Sequence, residues 1–200
     1  LAKDLKPNRM EALKEVASNF VQGRPNDRIG IVVYAAESYT KTPVTSDKGI
    51  VQDAILSIKY DNVLQDGTGI GMGLTTAINR LKDSKAKSKV IILLTDGVNN
   101  AGFIEPETAS QIAKEYGIKV YTIGIGTNGM AEFPYAYAPN GNGFLFKMMP
   151  VEIDQELMKT IAKNTGGKYF RASSNSKFEE IYNEINKLET TEIEELKFYD

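Results

Sequence analysis

The sequence predicts an α/β domain of three layers, in which a mostly parallel central sheet is covered by helices on both faces. Its 200 residues are 42% apolar and 25% charged, which is ordinary for one folded domain. Three short runs, 28–36, 89–96 and 118–123, are largely apolar and rich in β-branched residues, as in strands that are buried on both faces. Segments with helical periodicity lie between them, and this alternation is typical of βαβ units with right-handed crossovers.

The first part of the chain predicts a helix, two strands and a second helix. Residues 7–22 carry apolar side chains at helical spacing. Residues 38–44 alternate in polarity, so we expect them to pair with the strand at 28–36. Ser46 or Asp47 can cap the short helix that follows.

The second part of the chain alternates helices with strands. A glycine-rich loop at 66–73 leads into a helix that ends near Lys82, before the strand at 89–96. The remaining elements follow in the order helix 106–116, strand 118–123, helix 154–164, strand 168–171 and helix 175–188.

Residues 127–150 form a long insertion, and the sequence PNGNG at 139–143 predicts the tip of a β-hairpin. Insertions of this length are uncommon unless they are functional. Its aromatic side chains either supply a partner-binding surface or pack on the domain itself. They are Phe133, Tyr135, Tyr137, Phe144 and Phe146.

The absence of cysteine, histidine and tryptophan excludes several kinds of chemistry. Thiol nucleophiles, disulfides, zinc sites built on Cys or His, and Ser-His catalytic pairs are all ruled out. The net charge of -2 indicates no general attraction to nucleic acid. Any site must therefore use carboxylates, hydroxyls, lysines or a metal ion that prefers oxygen.

Two residues are candidates for such a site. Asp96 ends an apolar strand at the edge where α/β sheets bind ligands, although an Asp-Gly pair is also common in turns. Thr68 lies between two glycines, which allow the backbone to approach a ligand, and its hydroxyl could bind a cation such as Mg²⁺. The alternative is a loop with helix-capping glycines in which Thr68 is the N-cap of the next helix.

Taken together, these motifs resemble the von Willebrand factor A domain, over nearly the whole chain and in the right order. The matching pieces are the helix at 9–20, DRIGIVVYA at 27–35, DGTGIG at 66–71, IILLTDG at 91–97 and VYTIGIG at 120–126. The start at 1–9, the aromatic insertion, VEID at 151–154 and GGKYF at 166–170 look like the bacterial aerotolerance-associated Bat proteins. The resemblance implies a Rossmann-like fold.

The resemblance also implies a metal-ion-dependent adhesion site (MIDAS). In the family this site combines a D-x-S-x-S motif, a threonine and an aspartate, and the last two correspond to Thr68 and Asp96. The sequence contains no D-x-S-x-S motif, which in the family ends the first strand and would precede Leu1. We therefore expect Mg²⁺, or Mn²⁺ or Ca²⁺, to bind this chain weakly or not at all. Met72 and Gly73 also depart from the family, where many relatives carry an acidic residue.

The first strand of the family would lie between the strands at Ile29 and Val90. Without it, two buried strand edges lose their partners, at a cost of about 1–3 kcal/mol for each orphaned backbone group. We expect the natural protein to contain this strand, or another element to fill the gap. One domain is predicted over 1–190, with an extension at 191–200 that leads toward a membrane segment.

The leading functional hypothesis is a protein-interaction module and not an enzyme. Resemblance to Bat proteins implies the soluble, periplasm-facing part of an inner-membrane protein that acts in a stress-tolerance or assembly complex. Its implied partners are other Bat subunits and a MoxR-type ATPase. We expect the partner to contact Asp66, Asn99, Phe133, Tyr135 and Tyr137. The alternatives are a metal-assisted phosphohydrolase that uses Asp96 and a structural domain whose metal site has decayed.

Overall fold

A computed structural model describes residues 9–58, 68–95, 99, 101–126, 129–137, 144–151 and 153–197. The helices are α1 (Arg9–Gln22), α2 (Lys48–Leu56), α3 (Ile70–Leu81), α4 (Pro106–Glu115), α5 (Gln155–Thr165) and α6 (Asn175–Lys197). The strands are β1 (Ile29–Tyr34), β2 (Ser38–Thr45), β3 (Lys89–Thr95), β4 (Ile118–Ile125), β5 (Gly129–Tyr137), β6 (Phe144–Val151) and β7 (Tyr169–Ala172).

The element order agrees with the order that the sequence predicts. The cap of α2 is Asp47, whose carboxylate accepts a hydrogen bond of 3.1 Å from the Ile50 amide. The prediction for the last helix is too short, because α6 continues beyond residue 188 to Lys197. No helix in the described ranges is both long and apolar enough to cross a membrane.

The centre of the fold is a parallel sheet in the order β3-β4-β7. β4 is buried along almost its whole length, and its side chains alternate between two cores. Tyr121, Ile123 and Ile125 face a core formed with α1, β7 and α6. Ile118 and Val120 face a core formed with α3, β3, α4 and α5. Helices therefore cover both faces of the sheet, which confirms the predicted three-layer α/β class.

β1 and β2 form a separate antiparallel ladder, as the alternating pattern at 38–44 predicts. Among the described residues, no ladder joins β1 to β3. The Tyr34 hydroxyl spans the space between these strands and donates a hydrogen bond of 2.8 Å to the Leu94 carbonyl oxygen. A third small core, with Val21, Val51 and Ile55 at its centre, attaches this ladder to α1 and α2. The expectation of a further strand between β1 and β3 stays a prediction.

The insertion forms the predicted hairpin, in which β5 pairs with β6 from Gly129–Val151 to Tyr137–Phe144. Its register shifts between Pro134 and Ala136. β5 begins soon after β4 ends at Ile125, so the hairpin leaves the sheet at the carboxyl edge of β4. The predicted hairpin tip at 139–143 lies outside the described residues.

Tyr182 of α6 anchors the core on one face of the sheet. It is 5% exposed, and its ring packs against Phe20 of α1 and edge-on against Phe178, with centroids 4.6 and 5.3 Å away. Burial raises the pKa of the Tyr182 hydroxyl well above its usual value, because the phenolate would lose its hydration there. Because of this group, the stability of the fold depends on pH in the alkaline range.

Candidate functional site

The candidate site lies at the carboxyl edge of the parallel sheet. β3 ends at Thr95, which pairs with Gly124 near the end of β4, so both strands finish at the same edge. Asp96 follows Thr95 in the sequence but lies outside the described residues, as does Asp66. The residues that the structure describes at this edge are Thr68, Asn99 and the segment 101–105.

Thr68 is half-buried just before α3 and is held by backbone hydrogen bonds around it. Its carbonyl oxygen accepts a hydrogen bond of 3.3 Å from the Ala101 amide. The next amide, that of Gly69, donates to the Ala35 carbonyl oxygen at 2.6 Å. The segment that carries Thr68 therefore contacts both the end of β1 and the loop that follows β3.

The structure corrects one sequence-based interpretation of this segment. The N-cap position of α3 is Gly69, so Thr68 is not the N-cap. Gly69 also permits a close approach within the protein, because a Cβ there would lie 2.9 Å from the Ala36 carbonyl oxygen. The need for glycine at position 69 thus comes from the packing of Thr68–Gly69 against β1. The approach of this segment to a ligand stays a prediction.

Asn99 supplies the cap that Gly69 lacks. Its side-chain oxygen accepts a hydrogen bond of 3.0 Å from the Ile70 amide, at the first residue of α3. Asn99 belongs to the loop after β3, three residues beyond Asp96 in the sequence. One side chain therefore joins the two loops that carry Thr68 and Asp96. Contact of Asn99 with a partner protein stays a prediction.

The loop at 101–105 places an aromatic side chain beside this site. Gly102 adopts a positive φ of 84°, and a Cβ there would lie 2.6 Å from the Met72 side chain. Phe103 follows and is 86% exposed, which is unusual for a side chain of this size. The sequence analysis missed Phe103, because a single phenylalanine in a polar loop carries no periodic signal that would mark it as exposed.

The hairpin residues that were predicted to contact a partner, Phe133, Tyr135 and Tyr137, all belong to β5. Phe133 pairs with Lys147, Tyr137 pairs with Phe144, and Tyr135 stands at the shift in register. The contacts of their side chains lie outside what the structure describes. Their part in recognition therefore stays a prediction.

The oxygen atoms that Thr68 and Asp96 offer are of the type that an oxygen-preferring cation binds. A threonine hydroxyl and an aspartate carboxylate are the hard ligands that Mg²⁺, Mn²⁺ and Ca²⁺ accept. Within the described ranges, no three Asp, Glu, His or Cys residues cluster closely enough to hold a metal ion. Because these cations take six or more oxygen ligands, Thr68 and Asp96 would need further oxygens from water, a partner or another segment.

A second polar cluster lies at the opposite end of the sheet, around Glu189 of α6. Glu189 is 5% exposed, and its carboxylate accepts hydrogen bonds from Ser88, Lys119 and Tyr121 at 3.2, 3.3 and 2.6 Å. This buried carboxylate is fully partnered, so it ties α6 to β4 and to the start of β3. The sequence analysis did not single it out, because Glu189 occurs in a run of acidic residues that resembles a solvated helix surface.

Comparison with protein families identifies the type of domain that contains these loops. Residues 3–184 match the model of the von Willebrand factor type A domain. The chain is 25–29% identical to curated bacterial relatives and spans about half of their length, between 53% and 58%. The activity and partners of such whole proteins are therefore a matter for proposal.

Solved structures give the same result. An aerotolerance-related membrane protein from Bacteroides fragilis superposes with a TM-score of 0.77 and 30% identity, over 94% of this chain and 92% of that one. The BatB protein from Bacteroides thetaiotaomicron gives 0.78 and 30%, over 95% and 93%. These likenesses confirm the predicted relation to Bat proteins.

A more distant structure concerns the metal site. Proximal thread matrix protein 1 from the mussel byssus, solved with zinc in its MIDAS motif, has a TM-score of 0.66 and 25% identity, over 91% of this chain and 41% of that one. A metal ion thus occupies the adhesion site of a protein with a similar fold. The fold, the order of the motifs and the match over residues 3–184 together establish that this chain belongs to the von Willebrand factor type A domain family.

Proposed function

We propose that the chain is a non-catalytic protein-interaction module that recognises a partner through a divalent cation. The cation would be held by the Thr68 hydroxyl, the Asp96 carboxylate and further oxygen ligands. An acidic side chain of the partner would complete its coordination. The observation that carries the proposal is the hydrogen bond between Asn99 and Ile70, because it brings the Thr68 loop and the loop after β3 together.

The exposure of Phe103 supports a protein as the partner. An aromatic side chain that is 86% exposed beside the cation site offers apolar area that a partner can bury. Aromatic residues are also enriched among the residues that dominate binding energy. Phe103 would therefore contribute apolar contact next to the metal-mediated one.

The biological setting belongs to the same proposal. One structural neighbour of this chain is described as an aerotolerance-related membrane protein, and another is BatB. We place the chain as the soluble, periplasm-facing part of a membrane-anchored bacterial protein that acts in a stress-tolerance or assembly complex. Other Bat subunits and a MoxR-type ATPase are its proposed partners.

Metal titration tests the cation site. Mn²⁺ would be titrated by calorimetry into the 200-residue chain and into a chain extended upstream of Leu1 by the D-x-S-x-S motif of the family. We expect tighter binding to the extended chain and a loss of at least tenfold in affinity for Thr68→Val and Asp96→Ala. Asp83→Ala, which changes an exposed aspartate in a turn that follows α3, is the matched control. Equal affinity for Asp96→Ala and Asp83→Ala contradicts the proposal.

Partner capture tests the function. The extended chain would be immobilised and mixed with purified Bat subunits and a MoxR-type ATPase, with and without EDTA. We expect retention of a partner that EDTA and Asp96→Ala both abolish and that Phe103→Ser weakens. Retention that is insensitive to EDTA contradicts the metal-mediated mechanism. Turnover of a phosphate ester that Asp96→Ala abolishes would instead support the phosphohydrolase alternative.

A further inference from the structure

The first turn of α3 is capped by a side chain from a different loop. A helix usually receives its first side-chain hydrogen bond from the residue at its own N-cap. In α3 that residue is Gly69, which has no side chain to offer. The Ile70 amide instead donates to Asn99, which follows it by 29 residues in the chain.

Three of the hydrogen bonds between described residues hold the segment that carries Thr68. Gly69 donates to the Ala35 carbonyl oxygen, and the Thr68 carbonyl oxygen accepts from Ala101. The third bond is that between Ile70 and Asn99. Of the three, only the Asn99 bond uses a side chain, so it alone depends on the residue type at its position.

We infer that Asn99 is the positioning residue of the cation site, which holds Thr68 at a fixed place relative to residues 99 and 101–105 after β3. This inference rests on the proposed function, because it assigns the purpose of the cap to cation binding. A ligand pair from two loops binds a cation tightly only when both loops are held in place before the ion arrives. Residues that orient metal ligands in this way typically change metal affinity by about 10- to 100-fold when they are removed.

The chain offers a matched control for the loss of a helix cap. Asp154 caps α5 from the helix's own N-cap position, since its carboxylate accepts a hydrogen bond of 3.1 Å from the Leu157 amide. Asp154→Ala and Asn99→Ala should therefore lower the stability of the fold by similar amounts. Only Asn99→Ala should change the segment that carries Thr68.

The test compares Asn99→Ala, Asn99→Asp and Asp154→Ala with the wild-type sequence, in the 200-residue chain and in the extended chain. Hydrogen exchange without metal reports on the amides of residues 68–74, and calorimetry reports the affinity for Mn²⁺. We expect Asn99→Ala to speed exchange in this segment by at least tenfold and to weaken Mn²⁺ binding by about tenfold. Asn99→Asp keeps an acceptor oxygen and should restore slow exchange and at least wild-type affinity. Asp154→Ala should leave both unchanged.

The results distinguish a failure of this inference from a failure of the proposed function. Unchanged exchange in Asn99→Ala overturns the inference, and so does faster exchange with unchanged Mn²⁺ affinity. A wild-type extended chain that binds no Mn²⁺ contradicts the proposed function and, with it, the role of Asn99 toward a cation. The exchange measurement then still decides whether Asn99 joins the two loops.

Discussion

The hydroxyl of Tyr34, the last residue of β1, donates a hydrogen bond of 2.8 Å to the backbone oxygen of Leu94 in β3. This bond connects the β1-β2 ladder to the parallel sheet, between two strands that share no ladder among the described residues. We expect Tyr34→Phe to lower the free energy of unfolding by about 1 kcal/mol, because the Leu94 carbonyl loses this donor. Tyr39→Phe, at an exposed tyrosine of β2, should cost much less. Urea denaturation of both variants measures the difference, and equal losses would count against a structural role for the Tyr34 bond.

Hydrogen exchange should show that no hydrogen-bonded ladder joins β1 to β3. Along each strand, alternate amides point toward the ladder partner, which is β2 for β1 and β4 for β3. We expect these amides to exchange slowly and those on the facing edges to exchange faster. Amide-resolved exchange followed by NMR makes the comparison within one sample. Uniformly slow exchange would contradict this expectation and would show that another segment covers both edges.

The ring of Tyr34 also explains the glycine at position 73. A Cβ on Gly73 would lie 2.8 Å from the Tyr34 ring, so Gly73→Ala should destabilise the fold. This effect opposes the gain of about 1 kcal/mol that alanine usually brings to a helix interior. In a Tyr34→Ala background the ring is gone and only the Cβ of that residue stays near, at 3.3 Å, so the same substitution should cost much less. A thermodynamic cycle built from the four proteins measures this coupling, and additive effects would refute it.

Glu189 should be among the most sensitive polar residues of the domain. Glu189→Ala leaves the Tyr121 hydroxyl and Lys119 without their carboxylate in a buried position, at a cost of about 3 kcal/mol. Glu184 lies on the same helix and forms a partly exposed ion pair with Lys168, so Glu184→Ala should cost less than about 1 kcal/mol. Thermal and urea unfolding of both variants test the ranking. Similar losses at the two positions would show that the Glu189 network contributes little.

Stability should decline at alkaline pH because of Tyr182. The raised pKa means that the folded chain keeps the phenol proton above pH 10, where the unfolded chain releases it. The contribution of Tyr182 is therefore complete below pH 10 and falls by about 1.4 kcal/mol per pH unit above it. Tyr182→Phe keeps the ring contacts and should flatten the pH dependence of unfolding between pH 9 and 11. Tyr116→Phe, at an exposed tyrosine, is the matched control, and identical profiles for both variants would contradict the assignment.

Much of the fold could be predicted from local patterns. The apolar runs at β3 and β4 and the helical stripes around them place every described element within a few residues. The end of α6 is an exception, because the polar residues after 188 carry no apolar stripe that would mark a helix. The candidate site was harder to predict from the sequence. The motifs predict Thr68 and Asp96 as ligands, which stays a prediction, whereas the capping role of Asn99 and the exposure of Phe103 follow only from the structure.

The sequence by itself determined the order of helices and strands through its short-range periodicity, and its composition restricted any site to oxygen ligands. It also determined the family, because its motifs resemble those of the von Willebrand factor A domain and residues 3–184 match the family model. Only the tertiary structure decided which side chains meet. Asn99 reaches Ile70 across 29 residues, and Tyr121 reaches Glu189 across 68. Such partners are set by the packing of α3 and α6 on opposite faces of the sheet, and no local pattern records which distant residue a polar side chain will find.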